Sequence, residues 1–205
     1  MNLNEDAVLR MTKRVRLFMA VSTALYGILA IVPATAIGRE PNGWDLLSQG
    51  GLVVLIRHAE APGIGDPPNF HLADCATQRN LDEKGRRQAR AIGESFRRRK
   101  IPVEKVYSSQ WCRCKDTAQL AFGVFEENSA LNSFFGKPEL KTAQTAAMRA
   151  LLAQARPSRG NLVLVTHQVN ITALTGVVPS PGEMVVAALD GSGRLHVKSQ
   201  NTAAD

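Results

Sequence analysis

The sequence predicts an α/β fold with a mostly parallel central sheet, and three observations carry that prediction. Leu52-Val53-Val54-Leu55-Ile56 is an unbroken aliphatic run, the pattern of a short strand buried on both faces. Asn161-Leu162-Val163-Leu164-Val165-Thr166 repeats the pattern late in the chain. Segments with helical periodicity separate such runs, as expected where parallel strands are joined by crossover helices. Each run also stops at chemistry: the first at Arg57-His58, the second at His167. Open α/β sheets bind ligands at the carboxyl ends of their strands, so these ends mark a candidate site.

The composition fits this class. A chain of 205 residues with 44% hydrophobic and 21% charged residues suits one globular domain with a proper core. The net charge is +7, from 25 Lys+Arg against 18 Asp+Glu, which favours anionic partners. Part of the excess lies in Arg86, Arg87, Arg90, Arg97, Arg98, Arg99 and Lys100, read as the solvated face of one helix. Aromatic residues are few, and none interleaves with basic ones as bases stacking on a sheet require, so no nucleic acid partner is expected.

Taken in order, residues 1–36 read as an address. Lys13, Arg14 and Arg16 precede the apolar segment Leu17 to Ile31, and Ala34-Thr35-Ala36 supplies an A-x-A cleavage signal. The expectation is export to the periplasm or beyond, with cleavage after Ala36, no stable membrane insertion thereafter, and a domain over residues 37–205. The rival is an uncleaved anchor over residues 17–37, just long enough to span a bilayer. Removing residues 1–36 takes away four basic and two acidic residues, leaving a net charge of +5. In an oxidising compartment, Cys75 is expected to bridge either Cys112 or Cys114, a choice the spacing leaves open. Cys112-x-Cys114 lacks the two-residue spacer usual in metal sites, and no metal is expected.

After a short helical lead-in at 42–48 and the first strand comes a long loop, 61–80, rich in Pro, Gly and Asp. Loops of this length in compact domains commonly cover or line a site. Its polar candidates are His71, Asp74, Gln78 and Arg79. Asp82 caps a helix to about Lys100, where Pro102 stops it. Its narrow apolar stripe is Gly85, Ala89, Ile92 and Phe96, with the small residues suited to close packing on the sheet. Val103–Tyr107 is the next strand, and Arg113–Phe122 a helix with Arg113 in its first turn, where a helix N-terminus favours anions. Residues 126–138 are irregular. An alanine-rich helix (142–155), the strand ending at His167, and a helix at 169–175 follow. Met184–Leu189 and Arg194–Val197 form a terminal hairpin, with 198–205 a frayed tail. His71 and His196 are given no role.

Three strand ends thus present Arg57, His58, Arg113 and His167. Two guanidiniums can hold the nonbridging oxygens of a phosphoryl group through planar bidentate contacts. An imidazole with one bare nitrogen can attack phosphorus, forming a phosphohistidine that water resolves. A second imidazole can donate to an equatorial oxygen in the transition state. Nearby cations lower a histidine pKa and keep the attacking nitrogen bare. Arg79 and Gln168 are further substrate-binding candidates.

Arg57-His58-Ala59-Glu60 resembles the Arg-His-Gly signature of the histidine phosphatase superfamily, which contains phosphoglycerate mutases and acid phosphatases. Leu81-Asp82-Glu83-Lys84-Gly85-Arg86-Arg87-Gln88-Ala89 is similar to its Leu-Thr-x-x-Gly-x-x-Gln-Ala helix. Ser108-Ser109, Arg113 and Asp116-Thr117-Ala118 resemble its Ser-Ser-x-x-x-Arg-x-x-x-Thr-Ala segment, and Thr166-His167 its later strand end. Four motifs in register, over roughly residues 51–190, are a strong signal. The resemblance implies a phosphoglycerate mutase-like three-layer sandwich, its mostly parallel central sheet flanked by helices. It implies a His58 nucleophile, a pocket of Arg57, Arg113 and His167, and neither metal nor cofactor.

Two departures stand out. Ala59 replaces the usual Gly, tolerable unless the backbone there needs positive φ. No acid occupies either place where alkyl-ester-cleaving relatives put their proton donor: one region reads Leu131-Asn132-Ser133-Phe134-Phe135, and Gln168 follows His167. Glu183, Glu139 and Asp74 remain candidates. The expected activity is hydrolysis of a phosphorylated small molecule or envelope component. The alternatives are a phosphohistidine protein phosphatase and a non-catalytic phosphate-binding protein.

Overall fold

A computed structural model of the chain describes residues 42–203. The leader read in residues 1–36 and the alternative span at 17–37 lie outside the described residues. Among the described residues no helix is long and apolar enough to cross a membrane.

The elements run in chain order as helix α1 (Gly43–Leu47), strand β1 (Val53–Arg57), helix α2 (Glu83–Arg98), β2 (Val103–Ser108), α3 (Cys112–Phe122), the two-residue β3 (Glu126–Glu127), α4 (Lys141–Gln154), β4 (Asn161–Thr166), α5 (Gln168–Thr175) and the hairpin β5 (Met184–Leu189) and β6 (Leu195–Asn201). The sheet order is β3-β2-β4-β1-β5-β6. The pairs β3–β2, β2–β4 and β4–β1 are parallel, whereas β1–β5 and β5–β6 are antiparallel. β1 and β4 are therefore neighbours at the centre. Their register sets Arg57 opposite Thr166, so the residues after each, His58 and His167, emerge side by side.

Side-chain alternation along the buried strands splits the core into two layers. Val54, Ile56, Val163 and Val165 point to one face, packing with Trp44, Ile92, Phe96 and Ala118 of α1, α2 and α3. Val53, Leu55, Leu162 and Leu164 point to the other, against Met148, Leu151 and Leu152 of α4 and Ile171 of α5. Sheet and two helical layers make the three-layer sandwich. α2 begins where expected: Asp82 Oδ1 accepts the N–H of Gly85 at 2.7 Å. Its small residues permit close approach, since a Cβ on Gly85 would lie 2.0 Å from the Glu60 carbonyl oxygen.

The tail differs from expectation. Residues 198–201 continue β6 rather than fray, because the strand pairs with β5 as far as Met184 opposite Asn201. Asn201 is buried against α1, and the Ala203 carbonyl accepts from Ser95 Oγ at 2.8 Å. The irregular stretch before α4 contains β3 and two 3-10 turns, Ser129–Leu131 and Pro138–Leu140.

Candidate active site

At the carboxyl ends of β1 and β4 a cavity of about 880 Å³ opens. Arg57, His58, Arg79, Arg113, His167 and Gln168 all line it. The loop after β1 forms one wall and the segment 129–147 another.

His58 is buried, and its backbone N–H donates to the Thr166 carbonyl at 2.9 Å, an extension of the β1–β4 ladder. Its Nδ1 lies 2.8 Å from its neighbour Ala59's carbonyl oxygen, and Arg113 Nε–H points at its Nε2 at 3.3 Å. A carbonyl only accepts and a guanidinium only donates, so the two contacts fix the tautomer: the proton sits on Nδ1 and Nε2 keeps a lone pair. Burial first, then the positive charge of Arg113, pull the His58 pKa down to about 3, the Ala59 contact opposing. Ala59 fits without strain. Its φ is not positive, and its N–H donates to Thr117 Oγ1 at 3.0 Å.

His167 caps α5 and is equally buried, its ring centroid 5.5 Å from that of His58. Nε2 lies 2.9 Å from Ser109 Oγ and 3.5 Å from the thiol of Cys114. Burial, followed by the charges of His58 and Arg113, holds its pKa well below the usual histidine value. The same burial pushes the Cys114 thiol up to about 12.

Arg113, in the first turn of α3, is buried and fully engaged. Nη1 and Nη2 form a fork on Asp66, at 2.7 Å to Oδ1 and 3.2 Å to Oδ2, and Nη1 also donates to the Arg79 carbonyl at 3.3 Å. Asp66 accepts further from Trp111 Nε1 at 3.0 Å and from the Arg79 backbone N–H at 3.1 Å. Burial acts to raise the Asp66 pKa, but the hydrogen bonds and charge of Arg113 prevail, leaving it below the usual carboxylate value. Arg57 Nη1 donates to the Pro179 carbonyl at 2.9 Å, while its buried Nε has no partner among the described residues.

Arg79 is half-buried in the cavity wall rather than paired with a surface acid. Its Nε donates to the Gly65 carbonyl at 2.7 Å and its Nη1 to the Ala61 carbonyl, drawing the 61–66 loop over the site. Gln168 lines the cavity while its Nε2 donates to Thr172 Oγ1 at 3.3 Å. Cys75 is bridged to Cys112, joining the loop's 3-10 turn Cys75–Thr77 to the first residue of α3. Buried Gln78 adds a second tie, its Oε1 accepting the Cys112 N–H at 3.0 Å.

The three acids considered as proton donors do not line the cavity. Asp74 caps its own turn, Glu183 Oε2 accepts the Ser180 N–H at 2.7 Å, and Glu139 is exposed in the Pro138–Leu140 turn. The carboxylate that does line it is Asp66, which sequence reasoning missed. The only local hint is its place in Gly65-Asp66-Pro67-Pro68, a turn-forming string that says nothing about Arg113. Asn132 was missed too. It lies within the 131–135 stretch, which holds no acid, and its Oδ1 accepts from Ser109 Oγ at 3.2 Å and the Gln110 N–H at 3.0 Å.

No curated protein matches the chain. The family model for the histidine phosphatase superfamily (branch 1) matches residues 53–133, from β1 past the Ser129–Leu131 turn. The protein histidine phosphatase SixA, complexed with tungstate, shares the fold at 16% identity and a TM-score of 0.52, over 75% of this chain and 97% of that one. So does phosphoserine phosphatase from Entamoeba histolytica, in complex with 3-phosphoglyceric acid, at 15% identity and TM-score 0.54, over 74% and 96%. A mycobacterial glucosyl-3-phosphoglycerate phosphatase in complex with VO3 matches at 17% identity and TM-score 0.51, over 73% and 98%. The chain thus shares the three-layer fold of these phosphatases, and the stretch from β1 to the Ser129–Leu131 turn is similar to the histidine phosphatase superfamily.

Proposed function

We propose that the protein hydrolyses phosphomonoesters through a phosphohistidine on His58. The observation that carries this reading is the His58 ring itself. Nδ1–H is tied to a carbonyl, and bare Nε2 faces a buried guanidinium at the floor of the cavity. The Nε2 lone pair attacks phosphorus, the P–O bond to the leaving group breaks, and water then cleaves the N–P bond. Arg57 and Arg113 hold the nonbridging oxygens. His167 donates its Nε2 hydrogen, which Ser109 Oγ is placed to take in this structure, to a phosphoryl oxygen as charge builds. Arg79 and Gln168 line the path of the organic group. The cavity is far larger than a phosphoryl group, and Phe70, Trp111, Phe135 and Leu140 in its wall suit a substrate with a sizeable organic part.

The full chain incubated with an aryl phosphate and quenched should yield an acid-labile, base-stable phosphoenzyme. His58→Ala should abolish both the phosphoenzyme and turnover. Undiminished hydrolysis by His58→Ala would refute the mechanism.

The protein is further proposed to act after export, on a phosphorylated small molecule or envelope component. The Cys75–Cys112 bridge supports this, since such bonds persist in oxidising compartments. Fractionation of expressing cells should place the bridged form outside the cytosol. Recovery of a fully reduced cytosolic protein would contradict export and favour the phosphohistidine protein phosphatase reading.

A further inference from the structure

We infer that Asp66 is the group that protonates the leaving oxygen, an assignment that rests on the phosphatase reading above. Alkyl phosphate esters need such a donor, because an alkoxide is a poor leaving group. Of the described residues lining the cavity, Asp66 alone carries a carboxylate, and it shares one guanidinium with the nucleophile: Arg113 Nε reaches His58 Nε2 while Nη1 and Nη2 reach Asp66. A phosphoryl group seated between His58 and the Arg113 fork therefore sits with Asp66 at its edge. The carboxylate now occupies the fork's donors, and a phosphoryl group must displace it to use them.

Displacement converts the resident anion into an acid. Away from Arg113 and facing a phosphoryl group, the carboxylate loses its cationic partner and meets like charge, and both changes favour its protonated form. The proton arrives with the substrate: a phosphomonoester monoanion carries one P–OH, which passes it to Asp66. As the His58 Nε2 lone pair forms the N–P bond and the P–O bond breaks, the leaving oxygen takes that proton and departs as a neutral alcohol. Asp66, again a carboxylate, accepts a proton from the water that attacks phosphorus. The N–P bond then cleaves, its electron pair returns to Nε2, and orthophosphate leaves with the proton. Asp66 then returns to the Arg113 fork. The move must also break the bonds that Asp66 accepts from Trp111 Nε1 at 3.0 Å and the Arg79 backbone N–H at 3.1 Å. Asp66 lies in a stretch punctuated by Gly63 and Gly65, both at positive φ, where the backbone itself belongs to neither a helix nor a strand.

The test is the full chain, Asp66→Asn and Asp66→Glu, each assayed on an activated aryl phosphate and on a primary alkyl phosphate. Losing the Arg113 fork slows both substrates alike, whereas losing the proton donor slows only the one whose leaving group needs a proton. Asp66→Asn is expected to lose kcat on the alkyl ester about 100-fold more than on the aryl ester, with Asp66→Glu recovering part of the difference. Equal losses on the two esters, or an alkyl rate untouched by Asp66→Asn, overturn the assignment and leave the phosphatase reading standing. No turnover of either ester by the unchanged protein overturns that reading, and this one with it. Should Asp66→Asn fail to fold, Asp66→Glu decides: an alkyl-to-aryl ratio identical to that of the unchanged protein overturns the assignment, and a lowered ratio supports it.

Discussion

At the scale of single residues, the site keeps two histidines neutral by burying them, with consequences for acid stability. The His58 pKa is held at about 3 and that of His167 well below its ordinary value, in each case by burial first and neighbouring positive charge second. In the unfolded chain both titrate near ~6.5. Below that pH the unfolded state binds protons that the folded state refuses, so stability is complete above about pH 6.5 and declines as pH falls towards 3. Urea midpoints measured between pH 7 and pH 4.5 should fall, by an amount worth on the order of a few kcal/mol for the pair. His58→Gln should flatten that decline. An unchanged slope in the variant would show that His58 is not held neutral in the fold. Asp66 acts in a lower window. Its depressed pKa adds stability above the unfolded value of about 3.9, lost as pH falls through the folded one.

At the scale of elements, the 61–80 loop behaves as part of the wall because it is fastened at several points. The Cys75–Cys112 bridge spans 37 residues of sequence, and closing a loop of that size restricts the unfolded chain by about 4 kcal/mol in the chain-entropy treatment. Gln78 on the Cys112 N–H and Arg79 on two loop carbonyls complete the fastening. Replacing both bridged cysteines by serine should lower stability by about 2–4 kcal/mol, measured by thermal or urea unfolding. KM for an aryl phosphate should rise severalfold, because Asp66 and Arg79 lose the frame that places them. Unaltered KM in a measurably destabilised variant would mean that Gln78 and Arg79 suffice to hold the wall.

At the scale of the whole molecule, most of the architecture was legible because burial on both sheet faces leaves an unmistakable trace. β1 and β4 are continuous apolar runs, α2 carries its cap at Asp82 and its stop at Pro102, and both histidines follow the runs directly. β6 was read too short because its outer half, Lys198-Ser199-Gln200-Asn201, is polar. It holds by backbone pairing to β5 and by contacts of Ser199 and Asn201 to α1 that no local pattern encodes. The disulfide partner was equally hidden. Cys112 and Cys114 are two apart on one helix, and only the docked fold shows the first facing the loop and the second turned inward to His167. Arg57, His58, Arg113 and His167 were legible as strand-end and helix-start residues that share one cavity. Asp66 was not, because its partners, Arg79 and the Trp111–Arg113 turn at the start of α3, meet it only on folding.

The parallel register that sets Arg57 against Thr166 also governs when the site comes into being. The two imidazoles belong to strands separated by more than half of the chain, and non-local pairing of this kind is late and slow to form. His58 acquires its backbone bond to Thr166, and its neighbour in His167, only once β4 has zipped onto β1. A chain that has collapsed but not yet made that pairing therefore does not hold the two imidazoles side by side. Pairing of β4 with β1 and assembly of the candidate site are one event.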